Sequence, residues 1–164
     1  MTGDLAWKID TDNDRLDWFV DPTTNSIATT GSLESAVIIS LFTDKRAPDT
    51  WTRTDDKRGW WGNDNSSVYE MGSLLWTLWY IPTQTTDDYT NLVSGICKDA
   101  LQWLIEEKIA EDIDITVSMI TSSDCRITIT VTQPNQTEQY KYMWSPRAFS
   151  VLNESVGIPK VAVI

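Results

Sequence analysis

The sequence predicts an α+β fold in which a small antiparallel sheet, a hairpin and meander over 112–144, packs against a long helix at 87–107 and a second helix at 32–46. Three observations predict it. Leu92, Val93, Ile96, Cys97, Ala100, Leu101, Leu104 and Ile105 recur at helical spacing as one apolar face, opposite Lys98, Asp99, Gln102 and Glu106. Ile113, Ile115, Val117 and Met119, then Ile127, Ile129 and Val131, alternate with polar residues at the period of half-buried strands. Ser122-Ser123-Asp124 and Pro134-Asn135 punctuate these runs as turns, which makes Glu138 to Trp144 a third strand.

The remaining elements follow in chain order. Residues 5–9 read as a short strand, 10–15 as an acidic turn, and Trp18 with Val20 as a second strand before a polar loop through Thr30. The spacing of Asp10, Asp12 and Asp14 has the start of a calcium loop, but the glycine and distal glutamate of an EF-hand are missing, so no metal is expected. Gly31-Ser32 opens the 32–46 helix. The Ser32 hydroxyl is placed to cap free backbone donors, Glu34 sits at the positive end of the dipole, and Leu33, Ala36, Val37, Ser40 and Leu41 keep helical spacing. Pro48 disfavours helix in the residue before it. Residues 48–68 form a long polar loop with embedded tryptophans, and a short apolar helix at 71–80 stops before Pro82.

Residues 1–144 make one domain and 145–164 a C-terminal extension. The extension holds Pro146, a single helical turn at 148–153, and the β-prone end Lys160-Val161-Ala162-Val163-Ile164. Such an end beyond a finished sheet either pairs with that sheet or adds to a neighbour's. The partner-binding or strand-adding use of this tail is the expectation.

Composition removes several function classes. The net charge is −11 and the cations are scattered, so neither nucleic-acid phosphates nor an anionic membrane is an expected partner. No apolar run approaches the ~20 residues of a membrane span, and Met1-Thr2-Gly3-Asp4 lacks the basic start of a signal peptide. A protein made and folded in a cytoplasm is expected. There is no histidine, which excludes a Ser-His or Cys-His pair and every His-ligated metal. Cys97 and Cys125 read as small core hydrophobes. No cofactor is expected, since no glycine-rich phosphate loop occurs.

An enzyme built from this chain must use carboxylates. Asp55, Asp56, Asp64 and Glu70 lie near the aromatic loop, and paired acids with tryptophan platforms could serve a glycan hydrolase or a sugar-binding module. Nothing in the sequence singles out one pair. Arg58-Gly59-Trp60-Trp61-Gly62 is the most specific local feature. It permits a cation–π contact and a tight turn sending the two indoles to different surfaces, and Trp and Arg dominate binding hot spots. Arg58, Trp60 and Trp61 are therefore candidate partner anchors, and the competing use is to pin the loop on its own core.

An ordered set of segments carries a resemblance. Asp4-Leu5-Ala6, the run from Gly31 to Ala47, Arg58-Gly59-Trp60-Trp61-Gly62, Gly72-Ser73-Leu74-Leu75-Trp76 and Asp99-Ala100-Leu101-Gln102-Trp103-Leu104 together resemble the Mu-type phage baseplate family named after gene product forty-six, over residues 4–132. The resemblance implies a non-enzymatic small wedge subunit, similar to the T4-type group, in the virion baseplate of a contractile tail or tail-like particle and assembled in the host cytoplasm. Its implied partners are larger baseplate wedge proteins, the tail sheath protein and tube or hub proteins, within a symmetric hetero-oligomeric assembly. The T4-type group carries a Glu-Pro-Arg-Ile motif after its long helix. Glu106-Glu107-Lys108-Ile109 stands at that place, with Glu for Pro and Lys for Arg, so the resemblance points to Glu106 and Lys108. It also implies strand addition to the first sheath ring, for which the candidate edges are the 138–144 strand, with Tyr140 and Tyr142, and the 158–164 tail, with Val161 and Val163.

Overall fold

The structure, a computed structural model, describes residues 4–5, 7–10, 15–18, 20–30, 33–65, 69–81, 86–121 and 124–145. The N-terminal part forms three short antiparallel ladders: β1 (Asp4–Leu5) with β6 (Thr29–Thr30), β2 (Trp7–Asp10) with β3 (Arg15–Trp18), and β4 (Val20–Asp21) with β5 (Ser26–Ile27). The β4–β5 turn closes with the Thr23 amide donating to Asp21 Oδ1 at 2.7 Å and Asn25 in the left-handed region, at φ 50°, where asparagine is tolerated. The calcium-like spacing rests on Asp12 and Asp14, which lie outside the described residues.

Helix α1 (Glu34–Phe42) is shorter than the predicted 32–46. Residues 43–45 leave the helix because their backbone has a better partner. Lys45 N–H donates to the Ser73 carbonyl at 2.9 Å and Ser73 N–H to the Thr43 carbonyl at 2.8 Å, a parallel bridge that replaces the last helical turn. At the other end Leu33 holds the N-cap position with no side-chain cap from its own segment, and Ser32 lies outside the described residues. The cap comes from far away. The Leu33 amide donates to Glu138 Oε2 at 3.2 Å and to the Tyr140 hydroxyl at 2.9 Å. A carboxylate at this helix end satisfies a free donor and opposes the positive end of the dipole.

The predicted 71–80 helix is a 3-10 turn over Leu75–Tyr80. Thr77 explains the tighter winding: its N–H and its hydroxyl both donate to the Leu74 carbonyl, three residues back, at 3.0 and 2.6 Å. Helix α2 (Thr86–Glu106) matches the sequence reading, with Val93, Cys97, Leu101 and Leu104 fully buried on its apolar face. None of the described helices is long and apolar enough to cross a membrane.

Strands β7 (Asp112–Met119), β8 (Cys125–Gln133) and β9 (Gln136–Trp144) form the expected antiparallel meander in the order β7-β8-β9. The two-residue Pro134-Asn135 turn sets Gln133 opposite Gln136, and so Ile129 opposite Tyr140 and Ile127 opposite Tyr142. One sheet face, carrying Ile115, Cys125, Ile127, Ile129, Val131, Tyr142 and Trp144, closes on α1 and α2 to form the core. Burying each such aliphatic side chain is worth about 1.5–3 kcal/mol. The helices are tied by Trp103 Nε1–H donating to Ser40 Oγ at 3.0 Å. Burial pushes the Cys97 and Cys125 thiols up to about 12, in line with their reading as core hydrophobes.

Candidate interaction surface

The segment from Thr43 to Ile81 hangs on the 43–45/73 bridge and presents aromatic side chains outward. Gly72 makes the bridge possible. Its φ is 108°, and a Cβ there would stand 2.6 Å from the Thr43 carbonyl oxygen. Arg58 is the internal anchor. Its backbone sits at φ 49°, with its amide donating to Asp56 Oδ1 at 2.8 Å. Its guanidinium bonds Asp44 Oδ2 at 2.9 Å and lies 4.8 Å from the centre of the Trp76 ring. Trp76 in turn donates from Nε1 to the Lys45 carbonyl at 2.8 Å and meets Trp51 edge-on at 5.8 Å. Burial raises the Asp44 carboxyl above its usual value, against the opposing charge of Arg58.

The cation–π contact of Arg58 is thus with Trp76 and not with its sequence neighbour Trp60. The two loop indoles also do not point to different surfaces. Their ring centres lie 5.6 Å apart, and the Trp60 ring lies against Gly62, where a Cβ would come within 2.3 Å of it. Trp60 is 37% and Trp61 76% exposed. Asn63 fixes this pair to the next segment. Its side-chain amide donates to the Met71 carbonyl at 2.8 Å and accepts from the Met71 amide at 2.9 Å. Met71, Tyr69 and Trp79 are exposed as well, residues that the sequence reading did not single out. Met71 and Trp79 entered the sequence reading only as part of the short apolar helix at 71–80, and their spacing does not tell which side faces out.

The four loop acids take separate roles. Asp56 closes the Arg58 turn, Glu70 pairs with Lys45 at 3.3 Å, and Asp55 and Asp64 are exposed. A small cleft of about 70 Å³ between α2 and residues 72–74, lined by Lys45, Gly72, Ser73, Leu74, Ile96, Asp99 and Ala100, includes none of the four. Among the described residues no three His, Cys, Asp or Glu side chains gather as metal ligands would.

The other sequence candidates lie elsewhere. Glu106 and Lys108 are exposed at the C-terminal end of α2. Lys108 adopts φ 58° and ends the helix: its amide donates to the Ile105 carbonyl at 3.0 Å and that of Ile109 to the Leu104 carbonyl at 2.9 Å. Tyr69 reaches this end, and its hydrogen bond to Glu107 raises the phenol. Tyr142, expected to face a partner, is 1% exposed. Register puts it beside Ile127 on the core face, edge-on to Phe42 at 5.4 Å, and its buried hydroxyl has no hydrogen-bond partner among the described residues. Tyr140 is half-buried and donates its hydroxyl hydrogen to Glu138 Oε2. Val161 and Val163 lie outside the described residues.

Comparison with known proteins gives concordant matches. The model of the family described as "Phage protein GP46" matches residues 33–138. A Haemophilus influenzae protein described as "Mu-like prophage FluMu protein gp46" is 34% identical over 125 residues, covering 74% of this chain and 86% of that protein. The "Baseplate protein gp46" of Escherichia phage Mu is 43% identical over 79 residues, covering 46% of this chain and 52% of the phage protein.

Proposed function

The chain belongs to the phage GP46 family, and from that premise we propose that it is a structural subunit of a phage tail baseplate. Its finer role in this reading is that of a small wedge subunit of a contractile tail, which binds larger wedge proteins and positions the first sheath ring by strand addition. It acts without bond-making chemistry.

The observation that carries the finer reading is the outer edge of β9. Among the described residues β9 pairs only with β8, so its other side offers backbone donors and acceptors to a further strand. Glu138 is turned inward to cap α1, which leaves Lys141 as the one charge among the exposed Gln139, Lys141 and Met143 along that edge. The opposite edge, β7, carries the exposed acids Asp112 and Asp114, of the kind that discourage edge pairing. In this reading Tyr140 supports the docking strand from its inner face, and the 158–164 tail with Val161 and Val163 supplies a second one.

The test is photo-crosslinking in particles complemented with a chain carrying a photoreactive residue at Lys141 or at Asp114. Adducts with sheath or larger wedge proteins are expected from position 141 and not from 114. Particles that lack this chain yet still build baseplates with contracted or extended sheaths would end the proposal. Cell-wall lysis by the purified chain, abolished in Asp64→Asn or Glu70→Gln, would favour the glycan hydrolase instead.

A further inference from the structure

We propose that Trp61, flanked by Asp64 and Glu70, forms a docking platform for an arginine-bearing segment of another protein. This rests on the baseplate reading and names the chemistry of one of its partners.

The platform is prebuilt. Trp61 and Asp64 belong to one 3-10 turn, Trp61–Asn65, and the Asn63 side chain locks that turn to Met71 through two hydrogen bonds of 2.8 and 2.9 Å. Asp64 follows Trp61 by three residues in that turn, the spacing at which 3-10 side chains stand over one another, and Glu70 precedes the locked Met71. Trp61 is the most exposed large apolar side chain among the described residues, at 76%, and its neighbour Trp60 fixes one side of the ring. An indole held open at that exposure contributes nothing to this chain's own core. It offers a flat, electron-rich face.

The same loop shows what such a face accepts. Inside it, Arg58 lies over Trp76 at 4.8 Å while Asp44 binds its guanidinium at 2.9 Å. Indole, carboxylate and guanidinium there complete one another, since the ring quadrupole and the carboxylate both attract the cation and the guanidinium presents planar donors to each. The outer platform presents the indole and the carboxylates of that arrangement. Glu70 engages Lys45 through Oε2 at 3.3 Å, a pair exposed enough to exchange with a stronger planar donor.

Charge decides among occupants. At a net −11, a second copy of this chain, a nucleic acid or an anionic membrane is repelled, whereas a basic protein segment is attracted. Arginine is preferred over lysine because only the guanidinium stacks flat on an indole while bonding carboxylates in its plane.

The experiment uses the full chain and three labelled, capped decapeptides, alternating Gly with Arg, Lys or Glu, read by fluorescence anisotropy at low and moderate salt. The Arg peptide is expected to bind about two- to fivefold more tightly than the Lys peptide, and the Glu peptide not at all. Trp61→Ala should remove the preference for Arg, Trp61→Phe should keep part of it, and Asp64→Asn with Glu70→Gln should weaken both basic peptides. Because Trp61 lies outside the core, Trp61→Ala should leave the thermal midpoint unchanged, which separates lost binding from lost folding. Equal affinity for Arg and Lys peptides, or affinity indifferent to Trp61→Ala, overturns the proposal, as does preferential binding of a cell-wall oligosaccharide in the same assay. Loss of peptide discrimination leaves the baseplate role standing, and sheathed particles formed without this chain remove that role while the peptide result stands.

Discussion

Replacing Lys108 by glycine should stabilise the protein. Lys108 occupies the residue after the α2 cap at φ 58°, with the two backward hydrogen bonds, Lys108 to Ile105 and Ile109 to Leu104, that define this way of ending a helix. A Cβ in the left-handed region costs about 1–2 kcal/mol, which glycine avoids. Glycine also frees the unfolded chain, at a loss of about 0.4–1 kcal/mol. The side chain is exposed and forms no ion pair among the described residues, so little else is lost. The net expectation is a gain of about 0.5–1 kcal/mol, or roughly 2–3 °C in Tm for a chain of this size. Urea unfolding should show the gain as a higher midpoint at unchanged slope. Lys108→Ala keeps the Cβ and should fall within about ±0.5 kcal/mol of the parent, while Lys108→Val should be clearly worse, since a branched Cβ resists this conformation. A midpoint lowered by about 1 kcal/mol in Lys108→Gly, the usual cost of glycine inside a helix, would refute the reasoning. The variant also separates two roles of one residue: if Lys108 binds a partner through its charge, Lys108→Gly will fold more tightly and assemble less well.

Three further outcomes follow from the same geometry. Glu138→Ala removes the charged half of the remote α1 cap and leaves the Tyr140 hydroxyl on the Leu33 amide, so it should cost about 0.5–1 kcal/mol, with faster amide exchange confined first to the N-terminal turn of α1; unchanged exchange there would mean that Tyr140 alone suffices. Gly72→Ala should cost about 2–3 kcal/mol by forcing apart the Thr43–Ser73 bridge, and an unaffected urea midpoint would contradict the close approach. Burial raises the Asp44 carboxyl, so the native state binds its proton more readily than the unfolded chain does. Its contribution is then fully present below the unfolded value and is lost as pH rises through the folded value. Carboxyl NMR should place its midpoint above 3.8, and Arg58→Ala should move it higher still by removing the opposing charge.

What could be read in the sequence was what depends on short-range periodicity. The α2 stripe from Leu92 to Ile105 and the alternation along β7 and β8 need only local spacing, and all three elements appear within one or two residues of the reading. What could not be read depends on contacts between distant segments. α1 ends at Phe42 because Ser73 claims the next backbone groups, and nothing near Thr43 announces that competition. Arg58 stacks on Trp76 and not on Trp60 because a positive φ turns its side chain back into the loop. Tyr142 was legible in principle. The two-residue Pro134-Asn135 turn fixes the β8–β9 register, and counting back from it places Tyr142 opposite Ile127, on the buried face. The Arg58–Gly62 motif marked where the exposed indoles lie, but the Asn63 bonds to Met71 have no sequence signature.

The cap on α1 bears on how the chain is made. Glu138 reaches the start of that helix across 105 residues of sequence, so during translation the helix emerges long before its cap exists. Until β9 has left the ribosome, the Leu33 amide has neither Glu138 nor Tyr140 to bond, and the early-made third of the protein waits on its late-made strand. Contacts of such long range slow folding. They also make the native state an all-or-none proof that synthesis has run to residue 138, so that a chain stopped short of β9 reaches assembly with its first helix frayed.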